Sequence, residues 1–120
     1  MSRKNQLNKF QTINNGDMSQ SSITSSVTNI QYLDSIGIQL QWTGSPVGSL
    51  AIQLSADYAQ DAQGNVTNSG NWTTMQSIST TGGSPVYVDI TETSSPFIRV
   101  VYTKTSGTGT LNGFITAKMK

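Results

Sequence analysis

The sequence predicts an all-β chain: an antiparallel β-sandwich, jelly-roll-like or immunoglobulin-like, with an extended N-terminal arm. Three observations predict it. From residue 36 to residue 119, short runs alternate apolar and polar residues, the period-two pattern of strands with one face buried. Clusters of Gly, Pro, Ser and Asn break these runs every 8–15 residues, with no helical period of useful length between them. Residues 1–35, by contrast, are polar, begin basic and carry no sustained apolar period. A length of 120 residues suits one domain with a modest core. We therefore divide the chain into an arm, residues 1–35, and a sandwich, residues 36–120.

In the arm, Arg3, Lys4 and Lys9 put three positive charges into nine residues, with Leu7, Phe10 and Ile13 as spaced apolar contacts. These six are the candidate partner-binding residues, because an uncored segment of this kind gains order by lying against a neighbour. Asn14-Asn15-Gly16-Asp17 ends any helical turn begun by that spacing. Over residues 18–30 bulky side chains fall four or five apart among Ser and Thr. That reads as extended chain, with one strand expected around residues 26–32. On this reading residues 1–20 can be removed without loss of the fold.

The sandwich opens at residues 36–42, where the even positions are apolar and the odd ones are not. Residues 43–48 hold two glycines and a proline, and Leu50, Ile52 and Leu54 alternate after them. Two alternating strands joined by such a turn read as a hairpin. Residues 57–71 form a long polar loop. Residues 72–78 are a strand whose poor pattern predicts a bulge near Met75 and Gln76. After a break at residues 80–85, Val86, Val88 and Ile90 alternate with Tyr87 and Asp89. Residues 97–103 are apolar on both faces, as a central strand should be. Residues 106–109 read as a second hairpin loop. Leu111, Gly113, Ile115 and Ala117 then face one way, and Asn112, Phe114, Thr116 and Lys118 the other.

Composition narrows the function. There are no cysteines and no histidines, so disulfides, thiolate metal sites, serine-type triads and Cys–His dyads are excluded. The missing disulfides favour assembly in a reducing cytoplasm. Charged residues are only 11% of the chain, while Ser, Thr, Asn and Gln supply about two-fifths. Solubility therefore rests on hydroxyls and amides, a composition that suits β-rich viral and adhesive surfaces. A net charge of +1 predicts no nucleic-acid partner, no apolar run is long enough to span a membrane, and the basic start lacks the apolar stretch of a secretory signal.

Three groups are candidates for chemistry. Asp57 and Asp61 share the polar loop, but calcium needs six to eight oxygens and the loop holds two charges; a solvated loop is the expectation, with no metal and no cofactor. Asp89 and Glu92 do not form a carboxylate pair across a cleft, so no catalytic residues are assigned and the chain is expected not to be an enzyme. Trp42, Trp72, Tyr58, Tyr87 and Tyr102 include possible sugar-stacking faces. Trp42 has the parity of Ile38 and Leu40 and reads as core, which leaves Tyr58 and Trp72, flanking the loop, as the candidate carbohydrate contacts.

Three stretches carry a resemblance: Gly16-Asp17-Met18-Ser19 through Asn29-Ile30-Gln31, Ser55-Ala56-Asp57-Tyr58 through Gly70-Asn71-Trp72, and Ile98-Arg99-Val100-Val101 through Thr110-Leu111-Asn112. Over nearly its whole length the chain resembles a family of small β-rich proteins encoded among the virion genes of tailed bacteriophages. The resemblance implies a virion structural component, assembled in the host bacterial cytoplasm. Within that class it implies a capsid decoration (cement) protein anchored by its arm to the major capsid protein or another virion protein. The alternative is a tail- or fibre-associated module that binds host surface carbohydrate. A homo-oligomer, with a trimer as the guess, would follow from the symmetry of such a shell. The family lends no functional residues.

Overall fold

Among the residues described by the computed structural model (7–30, 33–90 and 96–119), the alternation becomes eleven strands and one 3-10 turn, Thr80–Gly82. In chain order the strands are β1 (Leu7–Asp17), β2 (Ser22–Thr24), β3 (Thr28–Asn29), β4 (Leu33–Gly44), β5 (Val47–Ser55), β6 (Ala59–Gln60), β7 (Val66–Asn68), β8 (Thr73–Ser79), β9 (Val86–Ile90), β10 (Phe97–Ser106) and β11 (Gly109–Met119). All pair antiparallel. Sheet I has the order β1-β11-β4-β9, and sheet II the order β2-β10-β5-β8 with β3 also beside β10. The small β6–β7 pair stands apart. The expected antiparallel sandwich is the observed fold, and β10 is central, as its two apolar faces foretold.

The two expected hairpins are corrected. β4 pairs with β11 and β9, whereas β5 pairs with β10 and β8. Residues 43–48 therefore carry the chain from sheet I to sheet II, and the loop at residues 106–109 carries it back. β4–β5 and β10–β11 together make one long antiparallel ribbon folded double at its middle, each half in a different sheet. Alternation could not distinguish this from a hairpin, because inward residues meet the same core either way.

The fold in the ribbon is tight. Gly44 opposes Gly109 and has φ +83°, and the Ser45 amide donates to the Thr108 carbonyl at 3.0 Å. A Cβ on Gly44 would meet the Thr108 carbonyl oxygen at 2.5 Å, so both backbone angle and space require glycine. The buried Thr80 hydroxyl closes the corner, donating to the Pro46 carbonyl at 2.9 Å and accepting from the Gly48 amide at 3.0 Å.

The boundary at residue 35 is also corrected. β1 lies along β11 from Leu7 opposite Lys118 to Asp17 opposite Thr110. Ile13 is only 5% exposed, and Met18 and Ile30 are buried in the same core as Ile38, Leu50 and Val100. Residues 7–30 are extended, but they pack into the sandwich. Two register shifts, between Gln11 and Ile13 and between Ile13 and Gly16, explain the misreading. Each bulge inserts a residue and resets which face the side chains take, so Thr12 and Ile13 are both buried. Removing residues 1–20 would thus remove an edge strand and two core side chains. The strand expected over residues 26–32 is β3, shorter than expected, with residues 31 and 32 outside those described.

The core lies between the sheets. Ile36, Ile38, Leu40, Leu111 and Ile115 enter from sheet I, and Leu50, Ile52, Ile98, Val100 and Tyr102 from sheet II. Full burial of such side chains contributes about 1.5–3 kcal/mol each before chain entropy is counted. Trp42 packs against this cluster, as its parity indicated. The bulge foreseen near Met75 and Gln76 is present: Ile52 opposes Gln76 and Gln53 opposes Thr74, leaving Met75 unpaired between them.

Candidate binding surfaces

Of the six partner-binding candidates, Lys9, Phe10 and Ile13 have described side chains. Arg3 and Lys4 lie outside the described residues, and Leu7 is placed only as backbone in β1. Lys9 is exposed, its ammonium 5.5 Å from the Phe114 ring centroid. Phe10 opposes Ile115, yet is 41% exposed because β1 is the edge of its sheet. Ile13 is a core residue and cannot touch a partner.

Tyr58 and Trp72 do come together, with ring centroids 5.8 Å apart. Their surroundings are those of packing. Tyr58 is buried and meets Phe97 edge-on at 5.0 Å. The Arg99 guanidinium lies 4.3 Å from the Trp72 ring centroid, and Arg99 Nε donates to Gln53 Oε1 at 2.8 Å. The indole N–H donates to the Ser69 carbonyl at 2.9 Å. Cation–π and edge contacts of this kind use the faces on which a sugar ring would stack. They fasten the β6–β7 excursion onto sheet II, across a sequence distance no local pattern reveals.

The loop carboxylates are engaged by donors. Asp57 Oδ1 accepts from the Asn71 amide at 2.7 Å and the Ser55 hydroxyl at 3.0 Å, and Oδ2 accepts from Asn71 Nδ2 at 2.7 Å. Asp61 accepts from the amides of Asn65 and Gln63, both at 2.9 Å. Asn71's backbone and side-chain donors lower the pKa of Asp57, and those of Asn65 and Gln63 do the same for Asp61. N–H groups converging on a carboxylate stabilise its charge and crowd the positions a cation would need. Among the described residues no group of three His, Cys, Asp or Glu gathers as for a metal. Asp89 is exposed on β9, and Glu92 lies outside the described residues.

The outer face of sheet I is a surface the sequence reading did not assemble. Register aligns two rows across all four strands: Gln11, Phe114, Gln39 and Tyr87 in one, and Lys9, Thr116, Gly37 and Asp89 in the next. Tyr87 is 57% exposed. Its hydroxyl leans over Gly37, where any Cβ would collide with it, and hydrogen-bonds Thr116 Oγ1 at 3.1 Å. Beside it lies a depression of about 180 Å³ lined by Lys9, Gln39, Tyr87, Phe114 and Thr116. The signal was available: Tyr87 and Phe114 are aromatic residues at outward parity. Their shared row depends on strand order, which parity does not encode.

No family model matches this chain, and no curated protein matches it. Solved structures do. The SPBc2 prophage-derived protein YomS aligns with a TM-score of 0.59 at 9% identity, over 97% of each chain. A protein of the disulfide-linked pili of Bacillus endospore appendages aligns with a TM-score of 0.52 at 8% identity, over 98% of this chain and 91% of that one. At such identities the likeness shows the fold, a β-sandwich matched over nearly the full length.

Proposed function

We propose that this chain is a non-enzymatic structural protein of a tailed-phage virion, a decoration protein that attaches to the capsid through the β1 edge of sheet I. The observation that carries the reading is that edge. β1 borders its sheet with Phe10 exposed on it, and residues 1–6, which contain Arg3 and Lys4, lead directly into it. An edge strand offers unpaired backbone groups to a neighbouring polypeptide, and a flanking basic segment adds attraction to an acidic one. The full-length fold likeness to a prophage-derived protein and the sequence resemblance to phage virion proteins support the class. The tying of Asp57 and Asp61 by amide donors supports a role without catalysis. The alternative, a tail- or fibre-associated module gripping host carbohydrate through Tyr58 and Trp72, has less support, because one ring is buried and the other lies against Arg99.

The test is binding to purified heads that lack the protein. Deleting residues 1–6 and introducing Phe10→Asp should leave the sandwich folded and lower occupancy of the heads. Undiminished occupancy overturns attachment through this edge. Gold labelling of whole particles decides the location: label on tails rather than heads overturns the decoration role.

A further inference from the structure

We infer that the outer face of sheet I is a two-fold interface with a second copy of this chain. The row Lys9, Thr116, Gly37 and Asp89 crosses the sheet from the β1 edge to the β9 edge. It ends in a cation on one side and an anion on the other. A two-fold axis running along the strands, through the middle of the face, exchanges the two edges. It sets Lys9 opposite the partner's Asp89, and Asp89 opposite the partner's Lys9. The same operation lays Thr116 over the partner's Gly37 and Phe114 over the partner's Gln39, and puts the exposed Tyr87 against the partner's Gln11. The Lys9 pairing is of opposite charge, the Phe114 and Tyr87 pairings set an aromatic ring against an amide, and Thr116 meets the Tyr87 hydroxyl that covers Gly37 in each copy. An isologous contact requires this self-complementarity, and a row with like charges at both ends would forbid it.

The size of the face agrees with a weak, specific contact. Four strands at about 4.8 Å spacing and roughly eight residues of length give a face of about 19 by 26 Å. Two such faces bury on the order of 1,000 Å², near the lower bound for a specific interface. The depression beside Tyr87 and Phe114 gives the partner's side chains somewhere to seat. This pairing does not depend on where the protein sits in a particle, and it leaves the β1 edge itself open.

The experiment is sedimentation equilibrium of the isolated chain over a concentration series, with thermal melts confirming that each variant is folded. The wild type should form a reversible dimer. Lys9→Glu alone and Asp89→Lys alone each place like charges at both contacts, and each should weaken the dimer about tenfold or more. The double exchange, Lys9→Glu with Asp89→Lys, should restore it to within about threefold of the wild type. A wild type that stays monomeric overturns the inference, including one that instead captures oligosaccharides on a glycan array. So does a trimer, or a dimer indifferent to both single reversals, or a double exchange that fails to rescue. Head occupancy is measured separately, so failure here and failure of the virion reading are distinguishable.

Discussion

Within β1, Ile13 and Phe10 make opposite claims on the same strand, and comparing them tests whether the N-terminal segment is part of the core. Ile13 is 5% exposed and Phe10 is 41% exposed. Ile13→Ala removes three buried carbons, which at about 0.8 kcal/mol each gives about 2.4 kcal/mol of lost transfer energy. Incomplete collapse around Gly16 and Gly113, which both lie against Ile13, brings the cost to about 3 kcal/mol. At roughly 2.1 cal/mol/K per residue over this length, the melting temperature falls by about 12 °C. Phe10→Ala truncates a larger side chain but should cost only about 1 kcal/mol, since its ring is half in solvent. Urea unfolding followed by tryptophan fluorescence, with the slope unchanged between variants, measures both. If Ile13→Ala costs no more than Phe10→Ala, β1 is not docked as described and the reasoning fails.

Three further outcomes follow from the same geometry. Tyr102 is fully buried and its hydroxyl has no hydrogen-bond partner among the described residues, so Tyr102→Phe should leave stability unchanged or raise it by about 1 kcal/mol in the same unfolding assay. Gly44→Ala must adopt a positive φ and press a methyl onto the Thr108 carbonyl, and should cost more than about 2 kcal/mol. Asp17, held below its usual range chiefly by the Ser19 hydroxyl, and Asp57 and Asp61, held there chiefly by the backbone amides of Asn71 and Asn65, favour the folded state only when ionised. Their contribution is present above the ordinary carboxylate pKa and is lost as pH falls through the lowered folded values. Melting temperature should therefore decline between about pH 5 and about pH 2, and Asp57→Asn should flatten that decline.

The inward faces of the sandwich were legible residue by residue. Ile36, Ile38, Leu40, Val88, Ile90, Leu111 and Ile115 all point where their parity said, because burial of one face is a local property of a strand. What escaped was everything set by partners distant in sequence. Residues 43–48 and 106–109 have turn composition whether the chain returns within a sheet or crosses to the other. The parity of Ile13 relative to Phe10 is reset by a bulge that exists only against β11. Composition marks Tyr58 and Trp72 as rings flanking the polar loop, yet Phe97 and Arg99, which lie against them, arrive from another strand altogether. Asp89 reads in the sequence as an exposed strand-edge charge or a catalytic acid, since nothing local shows that it shares a row with Lys9.

The folded ribbon also bears on how the chain is made. β1, β2, β3, β4 and β5 all find a neighbour in β10 or β11, and for the first three that is their whole attachment to a sheet. Until residues 97–119 have left the ribosome, β1, β2 and β3 have no strand to pair with, and β4 and β5 have only β9 and β8. Native structure must then arrive late and nearly at once, after translation of the ribbon's second arm rather than alongside it. A chain broken off before that point would lack the middle of both layers and be left to proteases, so only copies carrying that arm would be competent to join an assembly.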